Sequence, residues 1–204
     1  MRDLDKIEEG SNALGLSIKQ SKCELYFTST ETDSVKTRFQ SKLPEIELVN
    51  NETLTLLGAP IMEEAVGHVL EEKLNDLDRM GERLKQLDYH DALFLLGHCF
   101  AIPKLMYSLR TSAAFKNQEV LNLYDMKLRE ILKFLLNGQL EEEDAVTQCF
   151  LPVAMGGVGV RMASDLALPA FISSAHGAAS GANSLLPNQL SSDVYRNLEE
   201  ADSL

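Results

Sequence analysis

The apolar positions of this chain change their period near Pro60. Before it they fall in short runs. Leu4, Ile7, Ser11 and Leu14 recur at helical spacing and predict one short helix. Gly15 follows, able to take the left-handed conformation that closes a helix. Leu16 and Ile18 alternate with polar residues, the mark of a half-buried strand, and Leu25-Tyr26-Phe27 resumes a β-prone run after the polar turn Lys19-Gln20-Ser21. Ser29 to Ser34 is polar and reads as a loop, and Val35, Phe39 and Leu43 permit a short helix stopped by Pro44. Ile46-Glu47-Leu48 and Thr53–Leu57 flank Asn50-Asn51, a pair that suits a hairpin turn because Asn tolerates positive φ.

Beyond Pro60 the period approaches 3.6. Val66, Val69, Leu70, Leu74, Leu77, Met80, Leu84 and Leu87 form a stripe at spacings of three and four, predicting a long helix packed on a bundle rather than a dimeric coiled coil. Gly81 favours that choice, since a glycine inside a helix costs about 1 kcal/mol relative to Ala. Further helices are predicted over Ala92–Phe100, from Pro103 towards Arg110, and over Glu119–Leu136 with Gly138 as its stop. Leu151–Arg161 has no sustained period, and its three glycines mark an irregular, close-packed turn. Ala163–Ala179 reads as helix in part, interrupted by Pro169, and the polar stretch after Gly181 as poorly ordered. The pattern therefore predicts an α+β chain, mainly α: one small sheet from Leu16–Phe27 and Ile46–Leu57, then a helical bundle on one side of it.

Composition narrows the class. With 204 residues, 45% of them apolar and 25% charged, the chain has an ordinary globular make-up and can bury a core. No purely apolar run approaches the ~20 residues of a bilayer span, and Met1–Lys6 lacks the apolar centre of a signal peptide. Cys23, Cys99 and Cys149 are unpaired by spacing and fit reduced thiols, so an intracellular protein, cytoplasmic or nuclear, is expected, with no membrane partner. Acids outnumber bases 31 to 19, a net charge of -12, which argues against a stand-alone nucleic-acid binder. Part of that surplus is local, in Glu141-Glu142-Glu143-Asp144 and in Glu199, Glu200 and Asp202.

Candidate chemistry is sparse. Gly156-Gly157-Val158-Gly159 invites a phosphate loop, but lacks the Gly-Lys-Ser/Thr ending and the strand–loop–helix setting. His68, His90, His98 and His176 show no close pairing with each other or with the cysteines, so no metal site is assigned. Nothing marks a nucleophile elbow. Lys22 stands beside Cys23 and Glu24 after a polar turn and is by spacing a solvated turn lysine; Leu56-Leu57-Gly58 is by spacing a strand running into a turn.

Four segments in order resemble one family. Gly15-Leu16-Ser17-Ile18 with Lys22-Cys23-Glu24 is similar to the motif after the catalytic hairpin in reverse transcriptases of non-LTR retrotransposons. Leu54–Ile61 is similar to that family's primer-grip strand. Ala101-Ile102-Pro103-Lys104-Leu105 with Leu109-Arg110-Thr111-Ser112, and Leu151-Pro152-Val153 with Gly156–Arg161, match further downstream. The resemblance implies the last strands of an antiparallel polymerase palm edge with the primer grip over 1–61, a helical thumb over 62–140, and a connection with an acidic tail over 141–204. It implies that Lys22 is a proton donor to leaving pyrophosphate, and that Leu56, Leu57, Gly58, Lys104 and Arg110 touch an RNA–DNA or DNA primer–template duplex. A helix from Pro103 puts Lys104 and Arg110 six positions apart, about 120° around its axis. The family's Mg²⁺ ions are held by an adjacent aspartate pair upstream of the Gly15 motif, and this sequence contains no Asp-Asp dipeptide. Val146 stands where relatives carry tryptophan, and Gly97 where a basic residue is expected. The resemblance thus implies a truncated RNA-directed DNA polymerase, inactive alone, whose partner is a duplex or the missing polymerase half. The alternative is a non-enzymatic helical module that binds another protein.

Overall fold

The computed structural model describes residues 2–28, 33–136, 143–185, 199–201 and 203. Gly138, Glu141, Glu142, Asp202, most of the Ser29–Ser34 stretch and the polar segment 186–198 lie outside the described residues. The protein is α+β and mainly α. It forms two compact units, residues 1–54 and 55–204.

The first unit begins with α1 (Arg2–Ala13). Gly15 closes it at φ +75°, with Leu16 N–H donating to Ser11 O and Gly15 N–H to Asn12 O. That pair of bonds is a Schellman motif, as the glycine predicts. Leu16–Ile18 is not a strand: Leu16 is exposed and the alternation finds no partner strand, so the chain passes directly into a 3₁₀ turn at Gln20–Lys22. β1 (Glu24–Tyr26) and β2 (Glu47–Val49) then pair in parallel, Leu25 opposite Leu48, joined through α2 (Asp33–Lys42). Leu43 is buried, and the Tyr26 hydroxyl donates to Asn51 Oδ1 at 2.8 Å.

The single antiparallel sheet expected from Leu16–Leu57 is therefore two separate pairs. The second is antiparallel: β3 (Thr55–Leu56) and β4 (Ala59–Pro60). Asn50 makes no hairpin. Its side chain accepts the N–H groups of Glu52 and Thr53, an Asx turn that leads the chain on instead of folding it back.

The second unit holds the remaining helices. α3 (Glu63–Leu84), α4 (Tyr89–Leu95), α5 (Ile102–Thr111), α6 (Gln118–Leu135), α7 (Glu143–Cys149) and α8 (Ala163–Leu185) follow in order. α3 packs on α6, and α8 packs on α5 and α6. Most of the predicted stripe is the core face: Val66, Leu70, Leu77 and Leu84 share one buried cluster with Leu105, Leu109, Leu128 and Leu132, Val69 and Met80 are also buried, and Leu87 is exposed. With those positions buried inside the unit, the stripe is used for bundle packing rather than for a coiled coil. Gly81 sits where α3 and α6 meet most closely: a Cβ there would lie 2.7 Å from Ile131 Cδ1.

Two helices depart from expectation. Between α4 and α5 the chain makes a π turn over Leu96–Phe100, with Ala101 N–H donating to Leu96 O. Helix α8 continues through Pro169 instead of being interrupted there; Pro169 and Asp165, the residue whose carbonyl loses its helical donor, are both exposed. The stretch Tyr89–Thr111 is long and apolar enough by composition to cross a membrane, but 39% of its apolar window is buried inside the protein and it is broken at Ala101. Its apolar residues, including Leu96, Ile102, Leu105 and Leu109, make the bundle core. In the acidic tail, Ala201 is buried and Glu200 pairs with Lys116 at 2.6 Å.

Candidate nucleic-acid interface

The loop between β3 and β4 has two residues, Leu57 at φ +54° and Gly58 at φ +79°. Positive φ at both positions gives the turn that matches the right-handed twist of a hairpin. Glycine adopts it freely, whereas a leucine there carries strain of order 1 kcal/mol. Nothing in the core repays that strain through the side chain, since Leu57 is 90% exposed and Leu56 62%. Two leucines thus stand in water at the tip of a tight hairpin, beside a glycine with open space around it. The backbone of the tip is fixed from below: the Tyr107 hydroxyl donates to Leu57 O at 3.1 Å.

Tyr107 lies on α5, midway between Lys104 and Arg110. Residues three apart on a helix are neighbours, so Lys104, Tyr107 and Arg110 make one slanted row. All three are exposed, and among the described residues neither lysine nor arginine of that row meets a carboxylate. The row explains how two cations about 120° apart can still flank one feature: the tethered hairpin lies at its middle. Tyr107 was not singled out by the sequence. Its signal is a lone aromatic on the outward positions of an amphipathic helix, a pattern too common to mark a site.

Lys22 belongs to the other unit. It ends the 3₁₀ turn before β1, is exposed, and donates its backbone N–H to Lys19 O. Leu56, Leu57, Gly58, Lys104 and Arg110, the five residues expected to touch a duplex, all lie in the second unit, on the hairpin and on α5.

The glycine segment offers no phosphate cradle. The N–H groups of Gly156, Gly157, Val158 and Gly159 donate to Val153, Pro152, Cys149 and Leu151 carbonyls, leaving none for an anion. Gly157 is there for space: a Cβ would lie 1.9 Å from Leu151 O. A Cβ on half-buried Gly97 would lie 3.9 Å from Val160 Cγ2, an ordinary contact, so packing alone does not require glycine where the basic residue is expected. Among the described residues no three His, Cys, Asp or Glu side chains gather as metal ligands. Asp125, 5% exposed on α6, instead accepts the N–H groups of Ala163 and Ser164 and the Ser164 hydroxyl, capping α8 from another helix. Comparison with protein-family models, curated proteins and solved structures finds no match to this chain.

Proposed function

We propose that this chain is the primer–template-gripping part of a reverse transcriptase of the non-LTR retrotransposon type, and that it holds a duplex without catalysing synthesis. The observation that carries the reading is the Leu57 tip. A large apolar side chain kept in a left-handed turn, exposed to water and tethered by Tyr107, is costly for folding and useful only against something outside. Leucines pressed on the sugar face of a primer end, with Lys104 and Arg110 on flanking phosphates, would repay it. The lack of an aspartate pair in the sequence supports gripping rather than chemistry.

The test is fluorescence anisotropy of a labelled RNA–DNA hybrid with the Leu57→Gly variant. Glycine keeps the turn and removes the side chain, so stability should hold or rise. Affinity should fall about tenfold, the equivalent of ~1.4 kcal/mol of lost apolar contact. Unchanged affinity would remove Leu57 from the interface and with it this reading.

A further inference from the structure

On another face of the bundle, where α3, the π turn and the start of α5 converge, lies a cavity of about 380 Å³. Its floor is apolar: Leu84 is buried, Leu95 and Phe100 are half-buried, and Leu87 stands at the mouth, 45% exposed. Its rim is cationic, formed by Arg79, Arg83 and Lys104. Arg79 is held by Asp76 at 2.6 Å, whereas Arg83 and Lys104 meet no carboxylate among the described residues. Among the described residues neither an acid nor a neutral polar side chain lines the space.

This is an unusual place in a chain of net charge -12. Two uncompensated cations over an apolar pocket repel cations and attract anions. The lack of amide or hydroxyl side chains leaves nothing to read a base edge or a sugar, so the body of an occupant would be recognised by apolar contact and its head by charge alone. A cavity near 150 Å³ takes one benzene, so this one holds about fifteen non-hydrogen atoms by proportion.

We propose that the pocket binds a small anionic amphiphile: a carboxylate on an apolar chain of medium length, with its head between Arg83 and Lys104 and its chain against Leu84, Leu95 and Phe100. The site goes beyond the grip reading and stands without it, although Lys104 serves both. Its occupant would compete with duplex for that lysine.

The experiment is an amide-shift NMR titration of the full chain with decanoate, decanol and decyltrimethylammonium, each kept below its micellar concentration. Decanoate should shift the amides of residues 79–104 and bind at least tenfold tighter than decanol, with the cation weaker still. The Arg83→Ala/Lys104→Ala variant should weaken decanoate about tenfold and decanol less than twofold. Leu87→Ser, at an exposed position, should weaken both. Equal binding of decanoate and decanol, shifts that map elsewhere, or a loss on Leu87→Ser of neither ligand would overturn the proposal. So would adenosine monophosphate binding as tightly as decanoate, since that would assign the rim to phosphate without the apolar floor.

Discussion

Asp125 decides how α8 starts. Its carboxylate is buried and takes two backbone N–H groups and one hydroxyl, so it matches the unsatisfied donors and positive end of a helix that has no cap of its own. Asp125→Ala should cost about 2 kcal/mol, because the cap is lost inside the protein; urea unfolding would measure it. Asn, which keeps one acceptor oxygen, should cost less. Ser108 is the opposite case. Its hydroxyl is buried with no partner among the described residues, so Ser108→Ala should stabilise by about 1 kcal/mol in the same assay, and destabilisation would mean that the hydroxyl has a partner elsewhere. The cysteines separate by burial too. Burial pushes the Cys149 thiol up, which lowers its thiolate fraction at neutral pH, so it should react with a thiol probe more slowly than exposed Cys99. Residue roles of this kind were poorly legible in sequence. An aspartate on an apolar helix face announces a conflict, but not which N–H groups settle it.

At the scale of elements the reading went further. The long stripe from Val66, the proline start of α5 and the glycine end of α1 each rest on a local rule, and each is found. The strands were harder, because pairing is not local. Asn50-Asn51 suits a hairpin by propensity, yet the Asn50 side chain captures its own backbone, and β2 joins β1 instead. The true hairpin turns at Leu57, a residue no propensity scale would choose for positive φ. Gly81 carries the same lesson for packing. In the sequence its cost inside a helix favours bundle packing over a free coiled coil, and in the structure it is the point where α3 meets Ile131. Gly81→Ala should therefore destabilise by about 1 kcal/mol net, overpacking outweighing the gain in helix propensity. Ile131→Val in the same chain should recover part of that loss, and a thermal melt of the two variants would show whether the losses couple.

For the whole molecule, the two units differ in what holds them. The connected core lies entirely in residues 55–204, while Leu43 is the one buried apolar side chain among the described residues of the first unit. Amides of α3, α5 and α6 should thus exchange only through global unfolding, and those of α1 and α2 through cheaper local opening. Uniform protection across both units would contradict this. The buried α3 stripe also bears on the rival reading of a protein-interaction module, since self-association would have to use another face. Chemistry is the sharper contrast: with no aspartate pair in the sequence, the chain should show no primer extension with any template, nucleotide or divalent metal.

Duplex binding across a salt series tests the grip most directly. A net charge of -12 opposes a phosphate backbone, so binding of a labelled RNA–DNA hybrid should be weak and confined to low salt. Its dependence should be steep, because counterion release drives such contacts. Each phosphate contact adds about 0.9 to the slope of log affinity against log salt, so Lys104→Ala/Arg110→Ala should flatten it by about 1.8. A measurable slope that flattens by that amount would place both cations on the duplex. No binding at the lowest salt, or a slope untouched by the double variant, would contradict the account and favour a helical module with a protein partner.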